Sequence, residues 1–482
     1  MTSLIGKSSA TSNGYSVTIS NCYFTDLCAS LASIYTGVES LFDSVLLLSS
    51  NSFNKIKVTG SGGIVNPSLA KATLALTSVS SGGATSSSRK PSYALTANDF
   101  TTVSSGGNGG IFSWLGQSRS IKAVLTNNNF KDVSAANRGG IVYANYTVLS
   151  LLNSTATNLP DTTAVLEIAN CKVSDTIAKS GGVLAVDGLV QFFEVAFSNN
   201  ILSNVQATAE GGVVSVTSLN VSNTTTTTLR RALTTGQVGS FVVTGNQISN
   251  VTAANGGIFF ENTTAQTLGL TVSNNAITEV TAQNRGGIFF LNQPILAIDQ
   301  NSISNSSAQI AGALLYAVSG NINVTGIQQT NSIIQNPSII GTGLAFSPTN
   351  LKIDITFLIN ETIAELDIGP NPVISGLTSY SLDEITMTFT LVYSGAHGVQ
   401  TVVDNSTFTT ISLVFIDPNG KSSNQYSSSI CKDSICTFNP AGISLYGRAG
   451  QFVTVDVVYT SQLFVQRQVF SIQLRECMPG EL

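Results

Sequence analysis

Nine times between residues 21 and 312 the chain repeats one short pattern: N-x-[F/I/L]-x-x-[V/I/L], a few small polar residues, then G-G-[I/V]. Clear copies start at Asn51, Asn98, Asn128, Asn200, Asn246 and Asn275, each followed by a Gly-Gly pair. Degenerate copies start at Asn21, Asn170 and Asn301. Self-similarity at a fixed period implies stacked units that bury their apolar faces only against one another.

Within each unit the apolar residues alternate, as in Leu268-Gly269-Leu270-Thr271-Val272, with no 3.6-residue stripe, so the units are strands. About thirty residues holding three short strands separated by Asn- and Gly-marked bends match one coil of a parallel β-helix. The bends call for positive φ, which Gly adopts freely and Asn more readily than most residues. Stacked coils place equivalent positions about 4.8 Å apart. The side chains of Asn51, Asn98, Asn128, Asn200, Asn246, Asn275 and Asn301 can then hydrogen-bond up and down a ladder that satisfies buried amides. The Phe, Ile or Leu two residues later should point inward and stack on its counterpart.

The Asn markers alternate between short and long spacings, and the extra residues fall after the Gly-Gly strand, at 67–90, 145–163 and 217–236. Insertions at one point of a coil should emerge along one side of the solenoid. Near residue 345 the pattern gives way to longer alternating strands such as EITMTFTLVYS and FVTVDVVYT. The expected organisation is all-β: a parallel β-helix of about nine or more coils over 1–345, an immunoglobulin-like β-sandwich over 346–475, and the start of a truncated cysteine-rich segment over 476–482.

Only 10% of the 482 residues are charged, 42% are hydrophobic, and the net charge is -5. That balance opposes disorder and leaves no basic footprint for nucleic acid. The most apolar stretch, 181–197, carries Asp187 and Glu194 and is too short to span a bilayer. The start of the chain lacks the apolar core of a secretory signal, and with Cys477 lacking a local partner near the end the sequence reads as a fragment. Cys22 with Cys28, and Cys431 with Cys436, are spaced for local disulfides; buried thiols are the competing reading. One histidine and no C-x2-C pair argue against a metal site, and no cofactor is expected. Sequons at Asn145, Asn153, Asn220, Asn223, Asn250, Asn262, Asn305, Asn323, Asn360 and Asn405 permit N-glycosylation.

Polysaccharide cleavage would need paired carboxylates or acids that hold Ca2+. Asp132, Asp175 and Glu279 share a repeat position, but Lys55, Thr102 and Asn204 fill it elsewhere, so a solvated face explains the column better. His397 has no nucleophile motif beside it, Gly420-Lys421-Ser422 lacks the glycine a phosphate loop needs, and Trp114 is expected to pack against a neighbouring coil. Arg230-Arg231 in a Thr-rich stretch is a candidate processing site or a solubilising pair.

The N-x-[F/I]…GG-[I/V] coils over about 20–345 resemble the passenger regions of chlamydial polymorphic outer-membrane proteins, which implies a right-handed β-helix; here the Asn precedes the aromatic residue. The whole chain is similar to the large surface proteins of ciliates and related protists, in which pectin-lyase-like coils and a β-sandwich precede a cysteine-rich segment. Neither resemblance brings catalytic residues. The expected function is a non-enzymatic structural or adhesive protein of the cell surface or an extracellular filament, with copies of itself, other extracellular proteins or glycans as partners. The alternative is a β-helix that binds or cleaves polysaccharide.

Overall fold

The computed structural model describes residues 5–7, 16–30, 32–37, 45–67, 92–116, 121–146, 163–218, 238–263, 268–292, 295–318, 330–334, 344–346, 350–357, 363–365, 373–377, 385–395, 398–401, 410–428, 431–432, 435–438, 448–460, 465–474 and 476. The chain divides into two compact units, Met1–Leu344 and Ala345–Leu482.

In the first unit each turn of the chain lays down three strands, called here entry, middle and exit. Ser92–Thr96, Asp99–Ser105 and Phe112–Gly116 form one such coil, and Lys122–Thr126, Asn129–Ala135 and Val142–Tyr146 form the next. Among the described residues, entry strands build a nine-stranded sheet, and middle and exit strands build two sheets of eleven. Pairing is parallel throughout and equivalent repeat residues are partners, as in Phe53↔Phe100↔Phe130. This is a solenoid in which one residue type can stack on itself.

The inward residues form the core. Phe24, Phe53, Phe100 and Phe130 stack with centroids 4.9–5.1 Å apart and planes within 8°. Val173, Leu202, Ile248, Ile277 and Ile303 continue that column, each at most 2% exposed. Trp114 is fully buried, stacked on Tyr146 at 5.4 Å and edge-on to Phe193 at 6.1 Å.

Two corners have distinct chemistry. The residue just before each ladder position is left-handed, from Asn21 (φ 55°) to Gln300 (φ 53°), a conformation that Asn tolerates best of the non-glycine residues. At the second corner only the first glycine of each pair has positive φ, Gly211 for example at 61°. The second serves close approach instead: a Cβ on Gly212 would overlap the carbonyl oxygen of Gly257 in the next coil. The sequence marks the Gly-Gly pair as a bend; the close approach at its second glycine is a role the spacing alone did not reveal.

Exit strands end at Tyr146 and Ser218, and the next entry strands begin at Ala164 and Gly239, so these insertions leave and re-enter at equivalent points of the coil. Between Asn66 and Ser92 the described exit strand stops three register positions earlier, at the counterpart of Tyr143, and the entry strand resumes at the counterpart of Val165. Most of the three insertions, Arg230, Arg231 and His397 lie outside the described residues.

Among the described residues the second unit holds two sheets. In one, Asn350–Phe357 and Ile435–Phe438 flank Ile385–Gly395, all antiparallel. In the other, Thr410–Ile416, Phe452–Thr460 and Val465–Leu474 are antiparallel, and Val373–Leu377 joins the last in parallel. Alternate residues of these strands, including Leu413, Phe415, Val455, Val457 and Ile472, are fully buried. Gly420-Lys421 belongs to a turn in which the Asp417 carboxylate accepts from Asn419 N and Lys421 N, both at 2.9 Å.

Candidate functional site

The ladder asparagines lie at the entry-to-middle bend, each at most 2% exposed. Asn51 donates from its backbone N and Nδ2 to Asn98 Oδ1, and Asn98 does the same to Asn128. A second run links Asn200, Asn246, Asn275, Asn301 and Asn331 in the same way. These contacts span 2.8–3.1 Å. The remaining Nδ2 hydrogen reaches an entry-strand carbonyl, as from Asn246 to Phe197 at 3.0 Å. Every polar group of the side chain is therefore used, as burial requires.

The markers at Asn21 and Asn170 are one residue out of place. Cys22 and Cys171 occupy the ladder positions, and their amides donate to Asn51 Oδ1 and Asn200 Oδ1 at 3.0 and 2.9 Å. Cys171 joins the two runs: its sulfur accepts from Asn128 and donates to Leu125 O, the counterpart of the asparagine Nδ2 contact. Burial pushes its thiol up to about 11. Asn331 is a rung that the sequence reading did not include.

Asp132, Asp175 and Glu279 do form a column, together with Asp26, Lys55, Thr102, Asn204, Asn250 and Asn305, and every member is exposed with φ between 49° and 58°. Asp or Asn, whose short polar side chains suit that backbone, fill six of the nine positions, so the backbone accounts for most of the column without catalysis. Asn204 Nδ2 donates to Asp175 Oδ1 at 2.9 Å, and Asn250 Nδ2 to Asn204 Oδ1 at 2.7 Å.

A Cys22–Cys28 disulfide is corrected. Both thiols are free and exposed. They flank positions paired to one continuous neighbouring strand, Tyr23 to Ser52 and Cys28 to Lys57. Six residues of strand span about 20 Å, far beyond the ~7 Å Cα limit for a bridge even with the bend at Asp26. Cys431 and Cys436 are instead direct register partners across an antiparallel pair. Of the sequons, Asn250, Asn262 and Asn305 are exposed, whereas Asn145 is half-buried with Nδ2 on the Tyr143 hydroxyl at 3.2 Å. Asn153, Asn220, Asn223, Asn323, Asn360 and Asn405 lie outside the described residues or their described side chains.

Sequence reasoning did not assemble a polar clasp on the outer side of the exit sheet. Arg138, from one coil, crosses to Asp187 in the next at 3.0 Å and donates to Ser215 Oγ and Thr217 Oγ1 in the one after, at 3.1 and 2.9 Å. The Asp187 contact is an ion pair without hydrogen-bond alignment, since Arg138 aims its N–H groups at the hydroxyls. Burial pushes Asp187 up to about 6 against the pull of Arg138, with Glu210 adding to the rise. Burial and the Asp187 charge push Tyr143 up to about 12. Nothing in the linear spacing of Arg138, Asp187 and Thr217 marks them as partners; only coil register does. A second buried carboxylate, Glu261, accepts Thr263 N and Asn292 N, both at 2.7 Å, at the exit corner.

A carboxyl held above its ordinary 3.8 stabilises the fold fully below that pH, and the contribution is lost as pH rises through about 6. Relative to Asp187→Asn, the wild-type chain should lose up to roughly 3 kcal/mol between pH 4 and 7. Urea midpoints of the two chains measured across that window check this; parallel profiles would contradict it.

Among the described residues no group of three or more His, Cys, Asp or Glu could hold a metal ion. Comparison with protein-family models, with curated proteins and with solved structures returns no match.

Proposed function

We propose that this chain is a non-enzymatic structural or adhesive element of a cell surface or an extracellular filament. Its first unit would be a right-handed parallel β-helix that serves as a stalk. The second would be an immunoglobulin-like sandwich, a reading supported by the parallel strand added to an otherwise antiparallel sheet. The observation that carries the proposal is that the recurrent residues are consumed by stacking. The asparagines hydrogen-bond one another, the left-handed column takes residues suited to its backbone, and the second glycines admit the neighbouring coil. A surface with few charges suits lateral packing against copies, other extracellular proteins or glycans.

One observation favours polysaccharide chemistry instead: Asp187, near 6 and within electrostatic reach of Glu210, lies in the range suited to a general acid. Reducing-sugar and unsaturated-uronate assays on a polysaccharide panel, beside a glycan array, separate the readings. No turnover is expected from the wild-type chain. Turnover abolished by Asp187→Asn, or by Asp132→Asn or Glu279→Gln, would replace the structural reading with an enzymatic one; array binding without turnover would support adhesion.

A further inference from the structure

We infer that the outer face of the middle sheet carries N-linked oligosaccharide, on Asn250 and Asn305, and that the sequon at Asn145 stays bare in the folded chain. In these middle strands the left-handed residue breaks the in-out alternation. Ser249 and Asn250 both face outward between buried Ile248 and Val251, and Ser304 and Asn305 do so between buried Ile303 and Ser306. Asn250 and Asn305 are exposed, with φ of 49° and 53°. Coil register sets them in one column with Glu279 between them, about 10 Å apart. Val251-Thr252 and Ser306-Ser307 complete the two sequons, with no proline in either. Asn250 uses one Nδ2 hydrogen on Asn204 Oδ1 at 2.7 Å; the amide has a second, and attachment of a sugar takes only one.

Asn145 is the contrast. It is half-buried, its Nδ2 donates to the Tyr143 hydroxyl at 3.2 Å, and its Oδ1 is closed off from solvent. The next coil packs against it: a Cβ on Gly188 would lie 2.9 Å from Asn145 Oδ1, and Asp187 is its register partner. A sugar on Asn145 would stand between these coils and part Asp187 from Tyr143 and Arg138. Oligosaccharide is added before the coils stack, so folding decides which glycosylated chains survive, not which sequons are met.

The covalent step joins Nδ2 to the anomeric carbon of an oligosaccharide held on a lipid diphosphate. The bond from that carbon to the diphosphate oxygen breaks, the amide loses one proton, and the lipid diphosphate leaves; nothing is oxidised or reduced. This donor is met on the secretory route, so in the cell the inference rests on the extracellular reading, whereas the test supplies that route itself.

The test expresses the full chain behind a cleavable secretion leader in a eukaryotic host. The secreted protein is treated with an N-glycosidase in 18O-water, which marks each occupied asparagine as labelled aspartate, and its peptides are identified by mass. Asn250 and Asn305 should carry the label and Asn145 should not. Asn250→Asp and Asn305→Asp keep a residue suited to the left-handed backbone, and each should lose one glycan-sized step on a denaturing gel with an unchanged circular dichroism spectrum. Thr147→Ala removes the third sequon without touching Asn145 and should leave the mobility unchanged. Chains glycosylated at Asn145 should be found only among retained, protease-sensitive copies. Secreted protein that is bare at Asn250 or Asn305, or labelled at Asn145, would overturn the inference, as would retention of every form or secretion only once the two asparagines are replaced. A chain kept inside its own cells of origin would overturn the extracellular reading instead and leave these results standing.

Discussion

Gly212→Ala is expected to cost on the order of 3 kcal/mol or more, well above the fraction of a kilocalorie an ordinary Gly→Ala change involves. The added methyl would overlap the Gly257 carbonyl oxygen and a Val251 methyl. Neither can withdraw easily: Gly257 N donates to Gly286 O at 3.0 Å and Gly212 N to Gly256 O at 3.0 Å, so the backbones are held on both sides. The same position is Ala313 three coils later and Ser33 in the first coil, where the hydroxyl donates to Gly63 O at 2.7 Å. Near the ends of the stack the chain therefore admits a Cβ that the interior refuses. Urea midpoints of Gly212→Ala and Ala313→Gly should differ accordingly, with the second within about 1 kcal/mol of wild type. Equal effects would mean that the glycine column does not set coil spacing.

The contrast shows why part of the fold is legible in the residue string and part is not. Asn and Gly-Gly recur visibly because each coil needs the same hydrogen bond and the same bend. The spacing of Asn98, Asn128, Asn246 and Asn275 therefore translates directly into vertical partners. Cys22 and Cys171 broke the pattern by one position because the asparagine before each suits the left-handed corner, so the conspicuous letter lay beside the rung. The clasp of Arg138, Asp187 and Thr217 was invisible for a different reason. Its members do not repeat, and they meet only because register sets residues from three consecutive coils side by side. Glu261, an inward-facing acid whose column otherwise holds residues such as Trp114 and Val216, carried no signal until Thr263 N and Asn292 N were seen to satisfy it.

Asn246→Ala should destabilise the solenoid by about 3 kcal/mol, because it strands several buried groups at once. Removing Oδ1 leaves Asn200 N and Nδ2 without their acceptor, and removing Nδ2 deprives Phe197 O and Asn275 Oδ1 of a donor. Asn200 Nδ2 keeps Ile168 O and Asn275 Oδ1 keeps the backbone N of residue 246, but Asn200 N loses its ladder acceptor where water does not reach. Coils contact only their neighbours, so the damage should be local before it is global. Amide exchange at Asn200 should accelerate more than at Asn98, which belongs to the other run. Cysteine offers the converse. It already serves as a rung at 171, where its sulfur both accepts and donates. Asn246→Cys should therefore cost less than Asn246→Ala, and Cys171→Asn should raise the urea midpoint by the equivalent of about 1 kcal/mol by replacing sulfur contacts with amide hydrogen bonds. Loss of stability in Cys171→Asn would show that sulfur is the better rung there, and uniform exchange across both runs in Asn246→Ala would show that the damage is not confined to neighbouring coils.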